Sequence, residues 1–235
     1  VIKFLQGLFG GKSTVEATAS VSQATQTPPA ARWLSKDDPK NPFVVDGYDC
    51  LAFARSMLST TADPQVADSF LQQRGSLGQE HAGQLPADAI SVDCRLPYPF
   101  TGETAEGALF KASCMEEKWD IYLYGDRLYF CRSWTGSLVF VAQFTATDGV
   151  LTISRIAAPA SDAGSDDAYI VRQVHYLVCS HLFKKALPHP LPIGLDPKPD
   201  SVALFSFGQY GRVCCFGTFE ETVRQGIKKP SNPNT

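Results

Sequence analysis

Between residues 106 and 157 apolar and polar positions alternate in short runs separated by turns, the pattern of an antiparallel β-meander. Trp119 to Tyr124 and Arg127 to Arg132 flank Gly125-Asp126, a two-residue connection of the kind that closes a tight hairpin. Trp134-Thr135-Gly136-Ser137 turns the chain into Leu138 to Thr147, and Asp148-Gly149 turns it again into Val150 to Ile156. A two-residue loop sets the register. Leu123 then faces Leu128, Ile121 faces Phe130 and Trp119 faces Arg132 on one side of the hairpin; Tyr122 with Tyr129 and Asp120 with Cys131 take the other. The first face is expected to pack against a helix. The second suits either a wet ligand surface or an ordinary solvated sheet.

Upstream, Asn41 to Phe53 reads as a strand with a bulge or turn at Asp46-Gly47. Asp63-Pro64 has the form of a helix start, and Val66, Ala67, Phe70 and Leu71 continue at helical spacing to Gly75. Residues 75–88 form a polar loop, Ala89 to Leu96 a strand broken by Pro97-Tyr98-Pro99-Phe100, and Ala108 to Cys114 another strand. After a loop at 159–165, Ile170, Val174, Leu177, Val178 and Leu182 make one apolar stripe of a main helix over about 166–187. Ser165 is its expected cap, and Pro188, Pro190 and Pro192 forbid its continuation. Ser201 to Phe207 reads as a final strand with Arg212 to Phe219 as its hairpin partner, and Glu220 to Gln225 as a short helical end. The expected fold is α+β: one antiparallel sheet of six to eight strands, with the main helix and a smaller helix at about 64–74 packed on it. Strands and helices do not alternate, which speaks against a parallel Rossmann-like sheet.

Composition adds the domain plan. Residues 1–12 form a short amphipathic segment, 13–31 a Ser/Thr/Ala/Gln/Pro linker, 32–225 a single domain and 226–235 a polar tail. Ile2 to Phe9 is similar to the short openings of many bacterial cytoplasmic proteins; docking on its own domain is preferred over weak peripheral contact with a membrane. Val1 fits a non-AUG start or a trimmed chain. A net charge of −3 with scattered basic residues argues against a nucleic-acid partner. Seven cysteines without a Cys-x-x-Cys spacing point to a reducing, cytoplasmic compartment. No stretch approaches the ~20 apolar residues of a membrane span.

Candidate chemistry gathers around Arg132-Ser133-Trp134-Thr135-Gly136, which joins a fork-shaped donor, two hydroxyls and an indole at a turn. The candidate ligand-binding residues are Arg132, Trp134, Trp119, Asp120, Tyr122, Tyr129 and Arg212, with His175 a further pocket residue. No cofactor is expected. Phe9-Gly10-Gly11-Lys12-Ser13-Thr14 lacks the leading glycine and preceding strand of a phosphate loop. His175 and Cys179 share a helix face, but no second pair completes a zinc site, so no metal is expected. Cys131 beside Arg132, and Cys214-Cys215 beside Arg212, are the cysteines with a neighbouring cation; core packing is the preferred role.

Two functions fit. The preferred one is a non-catalytic protein-interaction module of accessory or immunity type. The other is an enzyme or sensor for a small anionic or nucleotide-like ligand near Arg132. They differ geometrically: a module stacks Arg132 on Trp119 at the core edge, whereas an enzyme brings an acid or base from another element to Arg132 in a concave pocket.

Overall fold

The computed structural model describes residues 29–102, 105–160 and 166–224. Two short strands, β1 (Arg32–Leu34) and β2 (Gly47–Asp49), lead into helices α1 (Leu51–Ser56) and α2 (Pro64–Gly75). Then come β3 (Ala89–Pro99), β4 (Gly107–Phe110), β5 (Trp119–Tyr124), β6 (Arg127–Arg132), β7 (Leu138–Thr147) and β8 (Val150–Pro159). Helix α3 (Asp167–Leu177) runs on into a π-turn at Val178–Leu182. Last are β9 (His189–Pro190), α4 (Pro199–Tyr210) and β10 (Phe216–Thr218).

The meander is a six-stranded antiparallel sheet in the order β3-β8-β7-β6-β5-β4. Its central hairpin has the register that Gly125-Asp126 dictates, with Leu123 opposite Leu128, Ile121 opposite Phe130 and Trp119 opposite Arg132. The fold is α+β, as expected. Strand β3 runs on through Pro97 to Pro99 rather than breaking there, because it lies at the sheet edge, where a missing N–H removes no ladder bond.

One face of the sheet holds the main core. Trp119, Ile121, Leu123, Leu128, Phe130 and Phe140 pack with Ile170, Val174 and Leu177 of α3 and with Val202, Ala203 and Phe207 of α4. The other face is closed as well, which overturns the expectation of a wet or solvated surface. Tyr122, Tyr129, Cys131 and Val141 form a second cluster, roofed by residues 75–88. There the Gly83 N–H donates to the Tyr129 hydroxyl at 2.9 Å, and the Tyr124 hydroxyl donates to the Leu77 carbonyl at 2.9 Å. Gly78, at φ +79°, lies flat against the Tyr122 ring. The "polar loop" is therefore a lid whose backbone satisfies the Tyr124 and Tyr129 hydroxyls.

Several elements differ from expectation for identifiable reasons. Asn41 to Phe53 is not one strand. Asn41 donates to the Ser35 and Val45 carbonyls and accepts from the Phe43 N–H, which curls the chain into a loop; Phe43 makes an isolated bridge, and Gly47–Asp49 is the strand that forms before α1 begins. Residues 201–207 belong to a helix, so no hairpin with 212–219 forms. Val202, Ala203, Ser206, Phe207 and Tyr210 are buried at helical spacing, and Pro199 starts the first turn. Of the expected partner only β10 is extended; it pairs with β2 and β9 in a small mixed sheet ordered β1-β2-β10-β9. Residues 220–224 are not helical, and β4 stops at Phe110. Asp166 caps α3, accepting from the Tyr169 N–H at 2.9 Å, while Ser165 lies outside the described residues. Helical structure ends at Leu182, short of 187. The expectations for residues 1–28 and 225–235 also fall outside the described residues.

The lid makes a sharp prediction. Gly78→Ala adds a Cβ that overlaps the Tyr122 ring as well as a left-handed backbone, and should destabilise by about 2–4 kcal/mol. Gly83→Ala, left-handed but facing open space, should cost about 1 kcal/mol. Urea unfolding of both variants checks this; equal losses would mean that the lid does not press on the tyrosine face.

Candidate functional site

Arg132 ends β6 with its guanidinium 4.8 Å from the centroid of the Trp119 ring. It donates to the Gln209 carbonyl at 3.1 Å and to the Gly208 carbonyl at 2.8 Å, and the Trp119 indole N–H donates to the same Gln209 carbonyl at 2.7 Å. These carbonyls belong to the last turn of α4, where no intrahelical donor reaches them and the helix dipole is negative. Arg132 is thus a helix cap stacked on an indole. Burial lowers its pKa to about 10.

The residues after Arg132 clasp the turn at 114–118. Ser133 donates through its N–H to the Lys118 carbonyl and through its hydroxyl to the Glu117 carbonyl, at 3.1 and 2.6 Å. The Trp134 indole N–H and the Lys118 ammonium both donate to the Met115 carbonyl, at 2.8 and 2.7 Å. Lys118 also donates to the Ser59 hydroxyl at 2.8 Å, with its Nζ 4.2 Å from the Trp134 ring centroid and 5.0 Å from that of Phe207. Lys118, Arg132, Trp134, Thr135 and Gly208 line a concavity of about 280 Å³. Sequence reasoning missed Lys118. A lysine beside Glu116-Glu117 has the pattern of a solvated turn, yet it is only 7% exposed.

The other candidates lie elsewhere. Asp120 and Tyr122 face the lid and are buried against the half-buried Lys111, whose ammonium donates to the Asp120 carboxylate at 2.6 Å, to the Gln73 carbonyl at 2.6 Å and to the Tyr122 hydroxyl at 2.8 Å. The Ala112 N–H donates to the second Asp120 oxygen at 2.8 Å, which completes a closed network. Tyr129 accepts from the lid, as above. Arg212 points to the Cys114 sulfur at 3.2 Å and lies 3.9 Å from the Glu117 carboxylate. The seven candidates therefore split: Arg132 gathers with Trp119 and Trp134 at the end of the hairpin, Asp120, Tyr122 and Tyr129 gather under the lid, and Arg212 joins neither group.

Buried histidines and cysteines are held neutral. His175 lies 3.0 Å from the Tyr98 hydroxyl through Nδ1 and within 3.9 Å of the Cys179 sulfur. Desolvation lowers the imidazole and raises the thiol to about 11, the reverse of an activated pair. His189 meets Ser206 at 2.8 Å, but both are fully buried, and burial pushes the imidazole down to about 3. Burial likewise raises the thiols of Cys131 and Cys214 far above their ordinary value and that of Cys215 to about 12.

A second concavity, about 340 Å³, opens beside the closed end of the β5–β6 hairpin. Leu109, Leu123, Leu128 and Leu151 floor it. Val178, Leu182 and Phe183 wall it from the π-turn, an irregularity often found at functional sites, and Tyr98 to Thr101 form its rim. The Tyr98 ring stacks between His175 and Phe183 at 5.8 and 5.7 Å, so its hydroxyl is turned to the imidazole. No family model matches the chain, and no curated protein or solved structure matches it. Among the described residues no helix is long and apolar enough to cross a membrane.

Removing one partner of the Lys111–Asp120 pair strands a charge. Lys111→Met should therefore lose about 3–5 kcal/mol, whereas Lys111→Met combined with Asp120→Leu should recover most of it. Denaturant melts of the single and double variants decide; a single variant near wild-type stability would show that Asp120 is not held by Lys111.

Proposed function

We propose that this protein is a non-catalytic binding module that takes an apolar side chain of a protein partner into the pocket between the β5–β6 hairpin and the π-turn. The observation that carries this reading is a preformed apolar cavity of about 340 Å³ whose Tyr98 hydroxyl is already engaged by His175. That volume falls within the roughly 300–1,000 Å³ of binding clefts. Phe183, on the pocket wall, is itself 36% exposed, which suits a partner's surface better than an enclosed small molecule. The commitment of Arg132 to Trp119 and α4 further supports a module over an enzyme. Scattered basic residues favour a protein over a nucleic-acid partner, and seven free thiols support a reducing, cytoplasmic setting.

A photo-crosslinking residue in place of Phe183 tests the reading. It should trap a defined partner that the same residue at Leu71, exposed on α2, does not trap. Adding Leu182→Gln should weaken capture by about tenfold, the usual loss at an interface anchor. Identical capture from both positions, no capture, or indifference to Leu182→Gln would each reject the pocket as the binding element.

A further inference from the structure

The concavity at the other end of the hairpin holds two cations that the fold leaves without a carboxylate. Lys118 comes from the turn before β5 and Arg132 from the end of β6. Among the described residues neither has an acidic oxygen at ion-pair distance. Glu116 acts on Lys118 from farther away, and one of its own oxygens accepts from the Ser59 N–H at 2.7 Å. Donors remain as well. Arg132 has five N–H groups and commits two to the α4 carbonyls; Lys118 has three and commits two, to Met115 and Ser59.

We propose that this concavity is a binding site for a small carboxylate carrying an apolar or aromatic group. The carboxylate lies between Lys118 and Arg132, and its apolar part rests on the Trp134 indole and against Thr135. The volume of about 280 Å³ sits just below the usual ligand-pocket range, which selects a small ligand. Burial, and then the charge of Arg132, depress the Lys118 pKa to about 8, so the paired cations carry an electrostatic cost that an oxyanion relieves. Arg132 keeps its cap and stack throughout; it offers the ligand its remaining N–H groups.

The groups facing Lys118 are Arg132, Glu116 and the Cys114 thiol. A depressed lysine pKa means that the ammonium is present below about 8 and lost as pH rises through it, so carboxylate affinity should fall across that pH. By reciprocity the bound carboxylate should raise the Lys118 titration midpoint by about one unit.

The test is an NMR titration of the full chain labelled at lysine side chains, with Lys118 assigned as the resonance missing from Lys118→Met. Benzoate is the probe, benzamide its neutral isostere and inorganic phosphate the competing oxyanion. Benzoate should shift Lys118 in the weak-fragment range of about 1–10 mM. Benzamide should not, and Lys118→Met should weaken binding by about tenfold or more, the value of a charge-assisted hydrogen bond. If Lys118→Met fails to fold, loss of benzoate affinity as the wild type passes pH about 8 serves instead. Benzamide acting as strongly as benzoate, phosphate acting alone, or no anion-specific shift would overturn the assignment. No lining residue is shared with the apolar pocket, so the outcome is independent of the partner-capture experiment.

Discussion

One guanidinium stacked on one indole, with both bonded to the open end of a helix, joins α4 to the six-stranded sheet. Arg132 and Trp119 stand opposite each other at the open end of the central hairpin, and together they satisfy the Gly208 and Gln209 carbonyls. That contact seats α4 on the sheet, brings Phe207 under Lys118 and launches the loop that holds Trp134 in place. A cation over a desolvated indole contributes about 0.5–2 kcal/mol, but its larger role is geometric. It turns an arginine with the look of a ligand hub into part of the frame.

The same hairpin face then organises both concavities. Leu123 and Leu128 floor the apolar pocket next to the tight turn, Ile121 and Phe130 fill the core between, and Trp119 and Arg132 mark the cationic end. Polar chemistry on the opposite face is sealed under the lid by residues 75–88, where Lys111 neutralises Asp120. A buried charge requires partners, and the fold supplies them at Asp120 but only in part at Lys118.

The hairpin register is legible from the chain because a two-residue turn and a period of two admit one pairing of Ile121 with Phe130. Helix α2 is legible for a similar local reason, since Asp63 and Pro64 act within their own turn. Helix α4 is not: Val202 to Phe207 is apolar on nearly every side, and a short run of that kind carries neither period clearly. The lid hides for the opposite reason. Its contacts with Tyr122, Tyr124 and Tyr129 are made by backbone groups, by Gly78 and by the His81 imidazole, none of which leaves a hydrophobic signal. Lys118 owes its burial to Trp134 and Phe207, residues far from it in sequence, so its neighbours Glu116 and Glu117 misdirect any local reading.

The claim on which the rest depends is that Arg132 and Trp119 act as one structural unit. A double-mutant cycle with Arg132→Met and Trp119→Leu, followed by equilibrium unfolding in urea, isolates their coupling from the large loss each change causes alone. The structure predicts a favourable coupling of about 1–2 kcal/mol. Losses that add to within about 0.5 kcal/mol would contradict it and return Arg132 to the role of a free ligand-binding side chain.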